Sequence, residues 1–324
     1  MVIIQLAGGL GNQMFQYALY LQLKNLGKTV KIDDRAGFVE DEKREPVLEL
    51  FEAPYERATK EELVRMLDSS PLLWHKVRRK LCGRKKKSYF ETDRIYHPEI
   101  MEWDDIYLEG YWQTEKYFEQ VERQVREAFE PKRLARYLIR HADKGQAVHN
   151  MGVFQGNPPS GYGDNGESKS AGEVLQEWMA KISDVESISL HVRRGDYLLP
   201  ENQALFGGIC TDAYYKEAME RMRQAYPGCR FYLFTNDKEW GRRWALEAPD
   251  VENVDMGCFS ALGDYAEFVL MSMCRHNILA NSSFSWWASY LNKNPDKRVL
   301  APDRWLNKWD CSDIYRPDMT KVSI

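Results

Sequence analysis

Ser187-Ile-Ser-Leu-His-Val-Arg-Arg-Gly-Asp-Tyr197 is the stretch of the chain that decides its fold. It begins with alternating residues that predict a β-strand with Ile188, Leu190 and Val192 on one face. The motif Arg193-Arg-Gly-Asp196 follows directly where this strand ends. Because open α/β sheets bind ligands at the carboxyl ends of their strands, the stretch predicts a ligand site at the edge of a parallel sheet.

The two adjacent arginines give this stretch its chemistry. A guanidinium presents a planar fork of donors that matches phosphate oxygens in pairs, so Arg193 and Arg194 together suit a diphosphate. Gly195 lets the backbone turn closely beside a ligand. A surface ion pair of Arg194 with Asp196 is the alternative interpretation. His191 could donate to a phosphate oxygen, or it could be a buried histidine bonded to the backbone.

Length and composition indicate a globular protein of two domains. The chain has 324 residues, more than one hydrophobic core usually holds, and 44% of them are apolar. Its net charge of −4 gives no general attraction to nucleic acid, so any anion site has to be local. The six cysteines are scattered without a C-x-x-C pair, which predicts reduced thiols.

The sequence also sets expectations for partners and location. The chain opens on a strand rather than on a secretory leader, and its least polar long run, 277–292, is too short and too polar to span a bilayer. We therefore expect a cytoplasmic protein with no nucleic-acid partner and at most a peripheral membrane contact.

Element patterns divide the chain into three segments. Residues 1–145 read as a Rossmann-like domain with a mostly helical middle, and residues 146–185 as a Gly/Pro/Asn-rich loop and linker. Residues 186–324 alternate strand and helix, a pattern typical of a parallel sheet covered by helices. The predicted fold class is α/β, with two Rossmann-like domains.

The first segment contains a predicted βαβ unit and a basic run. A strand at 2–6 precedes a helix that Asn12 is expected to cap, and a second strand follows at 29–32. The basic run lies at 78–80 and 84–87. It could contact an anionic membrane or nucleic acid, but a solvated loop between helices is favoured in an acidic chain.

Two more polar clusters follow predicted strands of the third segment. The stretch 281–287 lies at a strand-to-helix junction, where hydroxyls and backbone N–H groups suit a phosphate. Helix capping by Ser282 or Ser283 would use the same groups. Asn236 and Asp237 end another strand, where a carboxylate could accept two hydrogen bonds from guanine or could cap a helix. Three such clusters at one sheet edge indicate a binding site.

The amino-terminal loop differs from the known dinucleotide fingerprint. In Gly9-Leu-Gly-Asn-Gln-Met14, Met14 stands where the third glycine would be, so we expect no nicotinamide cofactor. Gly9 and Gly11 still permit close backbone approach, and we expect Asn12 to point into a cleft between the domains. The sequence has neither Asp-x-Asp nor a cluster at metal spacing, so arginines are expected to supply the charge that a metal supplies elsewhere.

Four ordered motifs together resemble those of the bacterial α-1,2-fucosyltransferases, glycosyltransferase family 11. They lie at 8–18, 191–197, 234–237 and 281–288. The resemblance implies a GT-B-like fold, in which two Rossmann-like domains face a cleft. It also implies GDP-β-L-fucose as the donor, a galactose-terminated glycan as the acceptor, and metal-independent transfer to galactose O2 with inversion.

The resemblance also implies roles for the matched residues. The arginines would contact the diphosphate, Asp237 would lie near guanine, the serines would line the phosphate pocket, and Asn12 would lie near the fucose and acceptor. The predicted donor-binding residues are Arg193, Arg194, Asn236, Asp237, Ser282, Ser283, Phe284, Ser285, Gly9 and Gly11. The predicted catalytic residues are Arg193, His191, Asp196, Glu201 and Asn12.

Several points stay open at this level. The sequence names no general base; Glu201 is the first candidate, by analogy with related α-1,6-fucosyltransferases, and Asp196 the second. Trp103, Tyr111 and Trp112 could stack on sugars or belong to the core. Another GDP-sugar donor, or a non-catalytic nucleotide-sugar or glycan-binding protein, is the alternative function.

Overall fold

A computed structural model describes residues 1–41, 44–70, 72–82, 85–142, 161–162 and 168–323. The chain forms two units, one of Met1–Ala128 with Ser312–Tyr315 and the other of Phe129–Cys311 with Arg316–Ile324. The division therefore comes earlier than the predicted linker at 146–185, much of which lies outside the described residues. The physical reason is that the helix Pro131–Ala142 packs on helices of the second unit.

The first unit is built on a four-stranded parallel sheet. Its strands are β1 (Val2–Ala7), β2 (Val30–Gly37), β3 (Ser88–Phe90) and β4 (Ile106–Glu109), and its helices are α1 (Leu10–Asn25), α2 (Lys60–Met66), α3 (Leu73–Cys82) and α4 (Glu122–Ala128). The strand order is β2-β1-β4-β3. Ile3 and Ile4 of β1 are fully buried, as expected of an inner strand covered on both faces. The predicted βαβ unit is confirmed.

Helix α1 begins earlier than predicted. Gly9 is its N-cap residue and Leu10 its first residue, so Asn12 lies inside the first turn and does not cap the helix. The Asn12 side chain instead accepts a hydrogen bond from Gln113 Nε2, at 2.8 Å. The capping prediction was wrong because the helix begins two residues before Asn12, and the Asn12 side chain bonds to a distant residue instead of to the backbone N–H groups of the first turn.

The middle of the first unit also differs from its prediction. It carries β3 and β4, which have three and four residues and are too short to show an alternating pattern. The basic residues 78–80 lie in helix α3 rather than in a loop. Short 3-10 helices complete the unit at Leu48–Phe51, Pro98–Met101, Glu115–Tyr117, Glu119–Val121 and Ser312–Ile314.

The second unit is built on a six-stranded parallel sheet, as the alternation of strand and helix predicted. Its elements are α5 (Pro131–Ala142), β5 (Gly161–Tyr162), β6 (Ser168–Lys169), α6 (Ala171–Ser183), β7 (Ser187–Val192), α7 (Pro200–Phe206), α8 (Asp212–Ala225), β8 (Arg230–Thr235), α9 (Lys238–Glu247), β9 (Val251–Asn253), α10 (Gly263–Met273), β10 (His276–Ile278), α11 (Ser283–Leu291), β11 (Val299–Pro302) and β12 (Met319–Val322). The order is β12-β11-β10-β7-β8-β9, and 3-10 helices lie at Gly195–Leu198 and Gly257–Leu262. Both units are thus α/β and Rossmann-like, as a GT-B-like fold requires.

Strand β7 is buried on both faces, not only on its apolar one. Ile188 and Leu190 pack in the apolar core with residues of α8 and β8. On the opposite face, Ser189 Oγ accepts a hydrogen bond from Asn277 Nδ2 of β10, at 2.7 Å. Burial of a polar face is tolerated where its groups are paired in this way, and the pairing fixes β7 against its neighbour.

The cysteines and the helices test two expectations from the sequence, on disulfides and on membrane-spanning segments. All six cysteines lie in the described ranges, and none of them forms a disulfide, as predicted. Among the helices that the structure describes, none has the length and apolar character that crossing a bilayer requires.

Candidate functional site

Three neighbouring strands bring the predicted polar clusters to one sheet edge. In the order β10-β7-β8, Val192 pairs with Thr235 and Leu190 with Ile278, and both pairings are parallel. The strands therefore end at the same edge of the sheet, β10 two residues before β7 and β8, and the clusters that begin at Arg193, Asn236 and Asn281 follow them. The predicted clustering in the second unit is confirmed, whereas the binding roles of its residues stay predictions.

Arg194 is held by the loop after β8. Its backbone N–H donates to Asn236 Oδ1 at 2.9 Å, and its Nε donates to Asp237 Oδ2 at 3.3 Å. The guanidinium lies 4.6 Å from the centre of the Trp240 ring, in a cation–π contact. The carboxylate that pairs with Arg194 is thus Asp237; the side chain of Asp196, the alternative partner, lies outside the described atoms.

Asp237 serves as the N-cap of helix α9. Its Oδ1 accepts a hydrogen bond from Trp240 N at 3.1 Å, and its own N–H donates to Thr235 Oγ1 at 3.2 Å. One carboxylate oxygen therefore binds the helix terminus and the other binds Arg194. The capping interpretation is confirmed, and the role of this residue at guanine remains a prediction.

Gly195 is needed where the arginine turn approaches the loop after β8. A Cβ atom at this position would lie 2.5 Å from Asn236 Nδ2, which is closer than real contacts allow. The same Asn236 side chain accepts the hydrogen bond from the Arg194 backbone. Any side chain at Gly195 would therefore displace the group that orients the arginine turn.

Tyr197 links the arginine turn to the loop that precedes α11. The Arg193 guanidinium lies 5.7 Å from the centre of the Tyr197 ring. The Tyr197 hydroxyl donates to the Asn281 carbonyl at 3.0 Å, and its ring stacks on Phe206 with the centroids 4.3 Å apart. Arg193 thus rests on a tyrosine that is itself fixed from two sides.

The N-terminus of α11 confirms the capping interpretation. Ser282 is the N-cap residue, and its Oγ accepts from Phe284 N at 3.3 Å. The buried Ser285 hydroxyl donates to the Ala280 carbonyl at 3.3 Å, whereas Ser283 stays half-buried. The helix dipole still favours an anion at this end.

His191 is the last polar side chain of β7 and is 4% exposed. Its Nδ1 has no hydrogen-bond partner among the described residues, so the backbone-bonded interpretation fails for that nitrogen. Burial, with the cations of Arg193 and Lys238 nearby, lowers the pKa of His191 to about 3, which makes the imidazole neutral at pH 7. A buried nitrogen without a partner is costly, and such groups are concentrated at functional sites.

Sequence reasoning missed the pair of Lys238 and Glu267. Lys238, the first residue of α9, donates from Nζ to Glu267 Oε1, and Met256 N donates to the same oxygen at 3.3 Å. Burial raises the pKa of Glu267 to about 7, even against the lowering effect of Lys238. The only signal in the sequence was one acidic residue inside the apolar run of α10, and that alone does not indicate a partner.

The remaining predicted residues are dispersed. Gly9, Gly11 and Asn12 lie at the β1–α1 junction of the first unit. Glu201 is exposed in the first turn of α7. Trp112 is fully buried and belongs to the core. Within the described ranges, no three His, Cys, Asp or Glu side chains form a group that could hold a metal ion.

The fold and the site define a class: α/β proteins in which cationic side chains and a helix N-terminus lie at the carboxyl edge of a parallel sheet. The sequence model of glycosyl transferase family 11 matches residues 167–322. An α-1,2-colitosyltransferase of Escherichia coli is 26% identical over 95% of this chain and 93% of its own. Residues 167–322, just under half of the chain, are thus similar to glycosyltransferase family 11.

Two further similarities are more limited. Galactoside α-(1,2)-fucosyltransferase 1 of Ateles belzebuth is 33% identical over 32% of this chain and 28% of its own. The crystal structure of NodZ α-1,6-fucosyltransferase soaked with GDP-fucose covers 90% of this chain and 92% of its own at 15% identity, with a TM-score of 0.38.

Proposed function

We propose that this chain is a family 11 glycosyltransferase that moves L-fucose from GDP-β-L-fucose to O2 of a terminal galactose, with inversion and without a metal ion. The observation that carries the proposal is the turn at Arg193 and Arg194, fixed at the sheet edge by Asn236 and Tyr197. Two guanidiniums in a fixed orientation suit the diphosphate of a nucleotide sugar. The α-(1,2)-fucosyltransferase relative supports the linkage.

The proposed reaction is a single displacement. Galactose O2 attacks C1 of fucose from the face opposite GDP, and the bond between C1 and the β-phosphate oxygen breaks with its electron pair going to GDP. The proton of the galactose hydroxyl passes to a base, for which Glu201 and Asp196 remain the candidates. Arg193 stabilises the charge that develops on the departing phosphate, and Arg194 holds the diphosphate in place. Asn12 is proposed to contact the acceptor.

A colitosyl donor is the second candidate, because the α-1,2-colitosyltransferase aligns with nearly the whole chain. Colitose differs from fucose only in lacking the 3-hydroxyl group. A site that hydrogen-bonds this hydroxyl discriminates strongly against the sugar that lacks it, whereas a site that does not bind it accepts both.

The test is a donor and acceptor matrix. The protein is incubated with GDP-fucose or GDP-colitose and with galactose, lactose or N-acetyllactosamine, with and without EDTA, and the linkage of any product is determined. We expect an α-1,2-fucosylated product at a rate that EDTA leaves unchanged. A product formed from GDP-colitose but not from GDP-fucose would show that colitose is the sugar transferred. GDP binding without turnover on any acceptor would favour the non-catalytic alternative.

A second prediction concerns Gly195. We expect Gly195→Ala to raise the Kd for GDP about fivefold, because the new methyl group displaces Asn236 and with it a hydrogen bond to Arg194 worth about 1 kcal/mol. Isothermal titration calorimetry measures the change. In an Asn236→Ala background, the same substitution should add little, because the atom it meets is gone. Wild-type affinity in the single variant would contradict the prediction.

A further inference from the structure

Helix α3 exposes large apolar side chains in the first unit. Trp74 is 82% exposed, Leu72 just before the helix is 62% exposed, and Val77 is 43% exposed. Trp74 and Val77 are three residues apart and so share one side of the helix. These three residues are called the α3 patch below. Clustered apolar side chains on a surface are typical of sites where a membrane or partner binds.

A dense block of positive charge overlaps the α3 patch. Between Lys76 and Lys87, eight of twelve residues are Lys or Arg and none is acidic, although the chain carries a net charge of −4. Arg78 pairs with Asp68, and Lys87 pairs with Asp105. Within this block, four exposed lysines have no carboxylate partner in the described part of the chain: Lys76, Lys80, Lys85 and Lys86.

The structure fixes this helix from its polar side. Asp68, after α2, accepts a hydrogen bond from the Arg78 side chain and another from Lys85 N, the latter at 3.0 Å. Lys87 N donates to the Met66 carbonyl at 2.9 Å, just before β3. The contacts described for this region thus include the polar side chain of Arg78 and the segment after the helix, while Trp74 remains open to solvent.

We propose that the α3 patch and its lysines dock the protein on an anionic membrane surface. An interfacial helix places aromatic and aliphatic side chains at the headgroup level while its lysines attract anionic lipids. Single-stranded nucleic acid would use Trp74 for stacking and the lysines for phosphates, but it would gain nothing from Leu72 and Val77. A lipid surface accounts for all of these exposed groups.

Membrane docking indicates where the acceptor glycan lies. Given the proposed transferase activity, on which this inference about the acceptor rests, docking brings the enzyme to galactose-terminated glycans that are carried on a lipid. The docking itself does not depend on the reaction, and its test uses binding alone.

The test is flotation of the full chain with vesicles of phosphatidylcholine alone or mixed equally with phosphatidylglycerol. We expect the protein to float only with the mixed vesicles and to be released by high salt. Lys85→Glu with Lys86→Glu should lower the apparent partition coefficient by about tenfold or more. Trp74→Ser should lower it by about fivefold or more, because the variant loses its interfacial ring.

Matched controls lie in the second unit. Lys216→Glu with Lys321→Glu makes the same charge change at exposed positions, and Leu246→Ser removes an apolar side chain that is 88% exposed. Both controls should float like the wild type. Equal binding to neutral vesicles, α3 variants that float unchanged, or binding to single-stranded DNA without flotation would overturn the proposal. A protein that floats but transfers no sugar would leave docking in place and refute the proposed function instead.

Discussion

Arg193→Lys should reduce kcat/KM for fucosyl transfer by about a hundredfold to a thousandfold, equivalent to about 3–4 kcal/mol of transition-state stabilisation. Lysine keeps the positive charge but loses the planar fork that contacts two phosphate oxygens at once. Steady-state kinetics with GDP-fucose and the best acceptor from the donor and acceptor matrix provide the measurement. The loss should appear mainly in kcat, because the charge on the leaving phosphate develops only in the transition state.

The control for this substitution is Arg221→Lys. Arg221 forms an ion pair with Glu217 on the surface of α8, so its replacement should leave the kinetics unchanged. The free energy of unfolding of Arg193→Lys should also stay near the wild-type value, because Arg193 lies on the half-exposed turn rather than in the core. Kinetics of the Arg193 variant within about twofold of the wild type would remove this residue from the proposed mechanism.

The second large effect is a loss of stability in acid that His191 causes. The pKa of this histidine is about 3 in the folded protein, against 6.5 for an ordinary histidine, so the unfolded chain binds more protons between these two values. The free energy of unfolding is therefore highest above pH 6.5 and falls as the pH falls toward 3. The lowered pKa of His191 contributes about 4–5 kcal/mol to the free energy of unfolding above pH 6.5, and about 2 kcal/mol of this should be lost by pH 5.

Urea unfolding at pH 7 and pH 5 checks this expectation. His191→Gln should lose about 2 kcal/mol less than the wild type over that interval, because glutamine does not titrate. His141→Gln is the matched control, since His141 lies at the end of α5 and bonds to the Tyr137 carbonyl through Nδ1. The control should keep the wild-type pH dependence. Identical slopes for the wild type and the His191 variant would show that His191 is not the group responsible.

Much of the second unit could be predicted from its sequence. The strand at Ser187–Val192 and the helices that begin at Asp212 and Ser283 have strong local signals: an alternating apolar pattern, or a Thr or Ser at the N-cap position. Such signals involve neighbours in the chain. The predicted polar clusters also meet at one sheet edge, because parallel strands that pair in register end at the same edge.

The partners of the site residues could not be predicted in the same way. Asp237 pairs with Arg194 across 43 positions of sequence, and Glu267 pairs with Lys238 across 29. A one-dimensional pattern carries no information on such distances. The surroundings of Asn12 and Trp112 could not be predicted either. Asn12 is of a residue type that often caps helices, but it bonds to Gln113, and Trp112 is buried in the core although it could have stacked on a sugar.

By itself, the sequence determined the α/β class, the order of the elements in the second unit and the four motifs that resemble those of a known family, because each of these depends on local pattern and residue type. Only the tertiary structure decided that His191 is buried without a partner for Nδ1, that Asp237 is both helix cap and partner of Arg194, and that α3 carries its apolar side chains into solvent. Burial and pairing depend on which distant segments pack together, and packing is a property of the whole fold.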